Sequence, residues 1–397
     1  MTNIERNTYI DLLNKYKNTD LIKVITGVRR SGKSTILNTY AKSIKNHTIQ
    51  INFESRKYAN FLNKDWTEIY DYIIQKCNPK VNNYIFLDEV QNIKNFERLL
   101  DALYIEKYID LYVTGSNAYM LSSELGTILT GRYVEIHVLP LSYFEFMNFI
   151  DKSKYSNLNF FADFVCNSAM PQSTILKSRS IDSSDYIKDL LLSIIEKDIF
   201  IRHTILSKNE FYKVADFIFD SVGSEISPTN IANTLTSNGT KIDKQTVSKY
   251  LQYLSESYVI YKVPRFDIKG KNLLKTLDKY YLVDTGFRMS KLGKLKNNDR
   301  GHLLENIVYL ELLRRNKTVY VGKNNNFEVD FVVQTKEGDT KYYQVSWSVE
   351  NEDTLKRELQ SLQKIKDNFE KILLTTDFGS VTHEGINQIN VMDWLCN

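Results

Sequence analysis

Gly27-Val28-Arg29-Arg30-Ser31-Gly32-Lys33-Ser34 restricts this chain more than any other segment. It reads G-x-x-x-x-G-K-[ST], the phosphate-binding P-loop. The apolar run Leu21 to Thr26 before it suits a buried strand, and Thr35 onward suits a helix. Gly27 and Gly32 permit backbone conformations that a Cβ would forbid. The loop N–H groups of Arg30, Ser31, Gly32, Lys33, Ser34 and Thr35 can then face inward as an anion cradle at a helix N-terminus. Lys33 would reach the β- and γ-phosphates, and the Ser34 hydroxyl would sit on Mg²⁺.

A second element fits the first. Tyr84-Ile85-Phe86-Leu87-Asp88-Glu89 is an apolar strand ending in two carboxylates. In a P-loop protein that is the Walker B position, with Asp88 holding Mg²⁺ and Glu89 as general base for water. Strands often finish in polar turns, but a P-loop upstream makes coincidence a poor explanation. Leu111 to Thr114 is a further strand, running into Gly115-Ser116-Asn117. Ser116 and Asn117 are the candidates to sense the γ-phosphate, with Ser116 favoured, although Gly-Ser-Asn is also ordinary turn chemistry. Arg132, just before the strand Val134 to Val138, stands where oligomeric ATPases present an arginine finger to a neighbour's γ-phosphate. A turn-capping arginine is the plain alternative.

The segments GVRRSGKST, YIFLDEVQ, YVTGSNAYML and LTGRYVEIHVLPLSYFEF together resemble a widespread prokaryotic AAA+ ATPase family. Members of that family carry a winged helix and a C-terminal restriction-endonuclease-like domain of unknown function. The resemblance implies ATP as ligand, hydrolysis as activity, and Arg132 as the arginine of the GRY segment.

Composition bounds the rest. The chain has 397 residues, enough for two or three domains. Its 52 basic and 48 acidic residues nearly balance, so any nucleic-acid face must be local. Three cysteines, Cys77, Cys166 and Cys396, show no metal or disulfide spacing. With no signal-peptide pattern and no apolar stretch of membrane-spanning length, the expectation is a cytoplasmic protein.

The expected fold is α/β. Residues 1–145 alternate strands and helices, which predicts a parallel-sheet P-loop NTPase core. Residues 146–207 read as a helical lid. Residues 208–265 have winged-helix rhythm, with Ser227-Pro228 opening one helix and Asp243 capping a second. Lys244, Gln245, Thr246, Ser248 and Lys249 near the start of the second helix could contact double-stranded DNA. A protein-binding or spacer role is the alternative.

Residues 266–397 restart with the strand Tyr280 to Asp284 and resemble the PD-(D/E)xK nuclease fold. Glu305, Glu328 and Asp330 are its candidate acids. The third motif should read Glu-x-Lys but reads Gln344-Val345-Ser346. An amide replaces an anion and a hydroxyl replaces a cation, which weakens metal binding and transition-state stabilisation. Lys341 should face the other side of its strand. The module is therefore expected to be nuclease-shaped but catalytically silent.

The leading expectation is an ATPase, a switch or motor acting with DNA or a protein partner, with a homo-oligomer implied if Arg132 is a finger. The alternatives are an ATP-gated DNA-binding regulator with little turnover and a nucleotide-regulated nuclease. A scaffold with a decayed ATP site is disfavoured by the intact Lys33, Asp88 and Glu89.

Overall fold

The computed structural model describes residues 4–118, 129–151, 156–274, 277–293, 299–315, 318–335 and 338–397. The end of the YVTGSNAYML segment, residues 119–121, lies outside them. The chain divides into two compact units: residues 1–139 with 256–258, and residues 140–255 with 259–397.

The first unit opens with helix α1 (Asn7–Lys15), which no motif announced. Strand β1 (Ile22–Thr26) feeds the P-loop and α2 (Lys33–Ser43). Then come β2 (Thr48–Asn52), α3 (Trp66–Ile74), β3 (Asn83–Asp88), α4 (Phe96–Ile105), β4 (Ile109–Thr114) and β5 (Tyr133–His137). The strands form one parallel sheet in the order β2-β3-β4-β1-β5. Every residue of β1 and β3 is buried, because helices cover both faces. Ile85, Leu87 and Val113 pack on one face, while on the other Phe86 and Tyr112 stack on each other and Tyr40 of α2 packs against both at an angle. Parallel alignment places the carboxyl ends of β1, β3 and β4 side by side, which is where a crossover sheet presents its ligand crevice.

The second unit begins with four helices: α5 (Tyr143–Phe149), α6 (Asn157–Cys166), α7 (Pro171–Ser178) and α8 (Ser184–Ile194). A capping box of Ser142 and Glu145 starts α5. Helix α8 is α-helical only to Ile194 and continues as a π-helical turn, Ile195–Phe200. Arg202 there faces Asp198 at 3.8 Å.

Next come α9 (Lys208–Asp220), β6 (Glu225–Ile226), α10 (Pro228–Ser237), α11 (Lys244–Glu256) and β7 (Ile260–Val263). The chain then leaves this sheet as β8 (Arg265–Asp267) and β9 (Asn272–Leu273) and returns as β10 (Asp278–Leu282). Strand β10 lies between β6 and β7, antiparallel to both. This corrects the sequence reading, which gave the strand near Tyr280 to the last module. Lys279, Tyr281 and their neighbours find their partners upstream, at Glu225 and Ile260 to Val263.

After α12 (Thr285–Leu292) and α13 (Asp299–Arg315) the chain forms β11 (Thr318–Asn324), β12 (Phe327–Gln334), β13 (Thr340–Val345), α14 (Glu352–Gln363) and β14 (Glu370–Thr375). Strands β15 (Val381–His383) and β16 (Ile386–Asn390) and helix α15 (Val391–Cys396) follow. The eight-stranded sheet runs β15-β16-β14-β13-β12-β11-β8-β9. Strands β11, β12 and β13 are antiparallel neighbours, and β14 returns parallel to β13 after α14.

Candidate active site

The P-loop turns on three left-handed or near-left-handed residues, Gly27 (φ 134°), Arg30 (φ 69°) and Gly32 (φ 102°). A Cβ on Gly27 would come within 2.2 Å of the Val138 carbonyl oxygen, so only glycine fits. Arg6, buried on the N-terminal segment, donates to the Ser31 carbonyl at 3.1 Å and the Leu139 carbonyl at 2.9 Å. It ties the loop to the end of the sheet, and no sequence motif signalled it. Arg30 and Thr35 are exposed, whereas Ser31 and Lys33 are buried. The Lys33 ammonium donates to the Gly27 and Val28 carbonyls at 2.9 and 3.0 Å. Those are weak partners for a cation, and phosphate oxygens would be stronger ones.

Asp88 is 3% exposed and is surrounded by neutral donors. Ser34 Oγ reaches its Oδ1 at 2.9 Å, Thr114 Oγ1 reaches Oδ1 at 2.5 Å, and Asn52 Nδ2 reaches Oδ2 at 2.7 Å. Burial raises the Asp88 carboxyl above its ordinary range, and the Thr114 hydrogen bond opposes that rise. The register puts Asn52 directly beside Asp88, and Thr114 is one step past the Leu87 and Val113 pair. Polar residues ending three adjacent strands were the readable signal for Asn52 and Thr114.

Glu89 turns sharply out of β3 with φ 57°, an uncommon conformation for a residue with a Cβ. Its N–H donates to Thr114 Oγ1 at 2.9 Å, so one hydroxyl engages both Asp88 and Glu89. The Gln91 amide donates to Glu89 Oε2 and, at 3.3 Å, to Ser116 Oγ. The structure thus gathers Lys33, Ser34, Asp88, Glu89 and Ser116 at one end of the sheet.

Arg132 lies elsewhere. The Ile22 N–H donates to its carbonyl at 2.9 Å, which places it at the amino end of β1. The P-loop is at the carboxyl end, roughly 13 Å away at strand rise. Its guanidinium pairs with Asp101 and lies 5.2 Å from the Tyr104 ring centroid, both residues on α4.

A second acidic cluster occupies the other unit. Glu305 of α13 and Glu328 and Asp330 of β12 converge, as their strand and helix positions suggested. Lys279 of β10 enters the same cluster, a residue the sequence reading did not include. Its ammonium lies 2.9 Å from Glu305 Oε1 and 2.6 Å from Glu328 Oε1. Tyr281, on the same strand face, donates to Glu305 Oε1 at 2.5 Å. Burial alone would raise the Glu305 carboxyl, but the Lys279 charge and the donors around it hold it down at about 2. Burial, followed by the Glu305 charge, pushes Asp330 well above the usual range. The carboxylates keep the Lys279 amine well above its ordinary range despite burial. A lysine beside two tyrosines and a leucine, in a strand buried from that lysine onward, was the available clue.

Gln344 does not face a free cavity. Its amide donates to Glu358 at 2.9 Å, and its oxygen accepts from Ser361 at 3.2 Å and the Asp330 N–H at 3.4 Å. Lys341 pairs with Glu370 at 2.8 Å. Among the described residues no group of three or more His, Cys, Asp or Glu side chains is arranged to hold a metal, and no helix is long and apolar enough to cross a membrane.

The AAA domain family matches residues 19–147, the stretch that carries the first site. An uncharacterized protein of Haemophilus influenzae is 36% identical over 99% of this chain and 98% of its own length. The chain belongs to that protein's family, with an AAA domain over residues 19–147. A second relative of this AAA protein, from Methanocaldococcus jannaschii and also uncharacterized, is 30% identical over 94% of the chain and 85% of its own length. Residues 159–298 match a domain family of unknown function. The Walker-type ATPase PABY2304 of Pyrococcus abyssi shares the fold, with a TM-score of 0.51 at 14% identity over 73% of this chain and 96% of its own.

Proposed function

We propose that this AAA protein is a Mg²⁺-dependent ATPase whose nucleotide site is Gly27 to Thr35 with Asp88, Glu89 and Ser116. The observation that carries the reading is the 2.9 Å contact between Ser34 Oγ and Asp88 Oδ1. A hydroxyl and a carboxylate brought together beside a P-loop lysine form an oxygen donor set suited to a hard cation. When bound, Mg²⁺ would neutralise charge on the β- and γ-phosphate oxygens. The loop N–H groups hold the phosphates, and the Lys33 ammonium exchanges its two carbonyl partners for phosphate oxygens. Glu89 takes a proton from the attacking water, and Ser116 orients the γ-phosphate.

Phosphate release from purified protein tests this. Lys33→Ala should lose ATP binding. Glu89→Gln should keep binding and lose turnover by about 10²- to 10⁴-fold. Wild-type turnover in Glu89→Gln would overturn the reading.

Arg132, placed far from its own P-loop, fits a finger supplied to a neighbouring copy. Mixing Arg132→Ala with Glu89→Gln subunits should then restore turnover that neither has alone. Full activity at every dilution of a monomer would exclude that assignment.

The strand order β6-β10-β7 with α9, α10 and α11 supports a winged helix, and α13, β11 to β13, α14 and β14 support a nuclease-like module without nuclease activity. Helix α11 buries Val247, Tyr250, Leu251 and Leu254 and exposes Lys244, Gln245, Ser248 and Lys249. That polar face suits double-stranded DNA. Lys244→Ala with Lys249→Ala should weaken binding and flatten its salt dependence by about two charges. An unchanged slope would assign the face to a protein partner.

A further inference from the structure

Gln91 has no place in the P-loop or Walker B pattern, yet its side chain joins the two groups on which water activation depends. It sits in a single 3₁₀ turn, Val90–Asn92, directly after Glu89. Glu89 enters that turn with φ 57° and ψ 52°. A left-handed residue with a Cβ costs on the order of 1 kcal/mol, so the turn is held by its surroundings. Part of the hold is the Thr114 hydroxyl on the Glu89 N–H. The other part is the Gln91 amide nitrogen, which donates to Glu89 Oε2 and to Ser116 Oγ. Its amide oxygen is buried and has no partner among the described residues. A side chain kept only for packing would not carry a buried acceptor in that state, which costs about 1–3 kcal/mol.

We infer that Gln91 is a positioning residue for ATP hydrolysis, fixing the Glu89 carboxylate relative to Ser116. The inference rests on the ATPase reading above. One Glu89 oxygen is engaged by the amide, and this leaves Oε1 as the oxygen that takes the proton from water. Because the same amide nitrogen also meets Ser116, a shift of the serine toward a γ-phosphate changes how Glu89 is held. The residue therefore links phosphate sensing to base orientation without touching the phosphate.

The test is steady-state turnover together with equilibrium binding of a fluorescent ATP analogue, on the full chain. Gln91→Ala should lower kcat about tenfold or more and leave the analogue's Kd and the KM for ATP unchanged. Gln91→Glu, which places a second carboxylate against Glu89, should be slower than Gln91→Ala. In a Glu89→Gln background, Gln91→Ala should have no further effect, because the group it positions is gone. Wild-type kcat in Gln91→Ala, or an equal loss in both backgrounds, would overturn the inference. The Glu89→Gln variant separates the two failures. If it turns over normally, the ATPase site assignment falls. If it is inactive while Gln91→Ala is normal, only the role of Gln91 falls.

Discussion

Asp88 and Glu305 are both carboxylates buried within α/β architecture, and they are held by opposite means. Asp88 meets three neutral donors, Ser34, Thr114 and Asn52. Glu305 meets an ammonium, that of Lys279. Burial raises the Asp88 carboxyl, whereas the lysine holds Glu305 down at about 2. An acid satisfied by hydroxyls and amides keeps its charge available to a cation that comes and goes. An acid satisfied by an internal ammonium has already spent that charge on the fold. Acidic clusters of similar composition can thus serve chemistry in one place and architecture in another.

The largest expected effect separates the two clusters by metal removal. EDTA should abolish ATP turnover, while the unfolding temperature of the nucleotide-free protein stays the same. A fall in that temperature on chelation would show that the Glu305 cluster holds a metal after all. Wild-type protein with Mg²⁺ or Mn²⁺ should also leave DNA uncut. Cleavage lost in Asp330→Ala would break the comparison.

A smaller effect sits on the two lysines. Lys279→Met should cost about 3–5 kcal/mol in urea unfolding, because it leaves buried acids without their counter-charge. Lys33→Met should cost only about 1 kcal/mol, because its partners are carbonyls, while ATP binding is lost. Equal stability losses would erase the distinction.

The pH response should carry opposite signs. Glu305 lies below its ordinary value of about 4.3, so its stabilisation is complete above that pH and drains away as pH falls toward about 2. Asp88 is raised, so its protonation favours the fold and its contribution is lost as pH rises through its folded value. Comparing Asp88→Asn and Glu305→Gln with wild type in acid unfolding checks both signs. Asp88→Asn should flatten the curve on the high side, and Glu305→Gln on the low side.

The smallest effect on turnover is expected at Thr114. Thr114→Val removes one donor to Asp88 and the acceptor of the Glu89 N–H, and should cost about 1–2 kcal/mol with a modest drop in turnover. A change in turnover as large as that of Glu89→Gln would give Thr114 a direct part in the chemistry.

The P-loop core was readable because its signals are local. Gly27, Gly32 and Lys33 lie within one turn of chain, and Asp88 and Glu89 end one apolar run. The strands expected to end at Thr26, Glu89, Thr114 and Val138 end within one residue of those positions. What stayed hidden depends on distant partners. Arg6 reaches Leu139 across most of the unit, and nothing near Arg6 says so. Lys279 is paired by α13 and β12, and its strand belongs to a sheet completed by β6 and β7. Pattern reading assigns a strand to the module it stands next to in sequence, and β10 stands next to the wrong one. Gln91 lies within YIFLDEVQ, but only the direction of its side chain gives it a role.

The excursion of β8 and β9 between β7 and β10 has a consequence for how this chain can be dissected. A fragment starting at residue 266 would hold β10 without either of its neighbours, and a fragment ending there would strand β6 and β7 without the strand that joins them. No single cut leaves both sheets whole. The two sheets are interlaced like the halves of a spliced rope, so they should appear in expression trials, in protease digests and in gene rearrangements as one indivisible cassette.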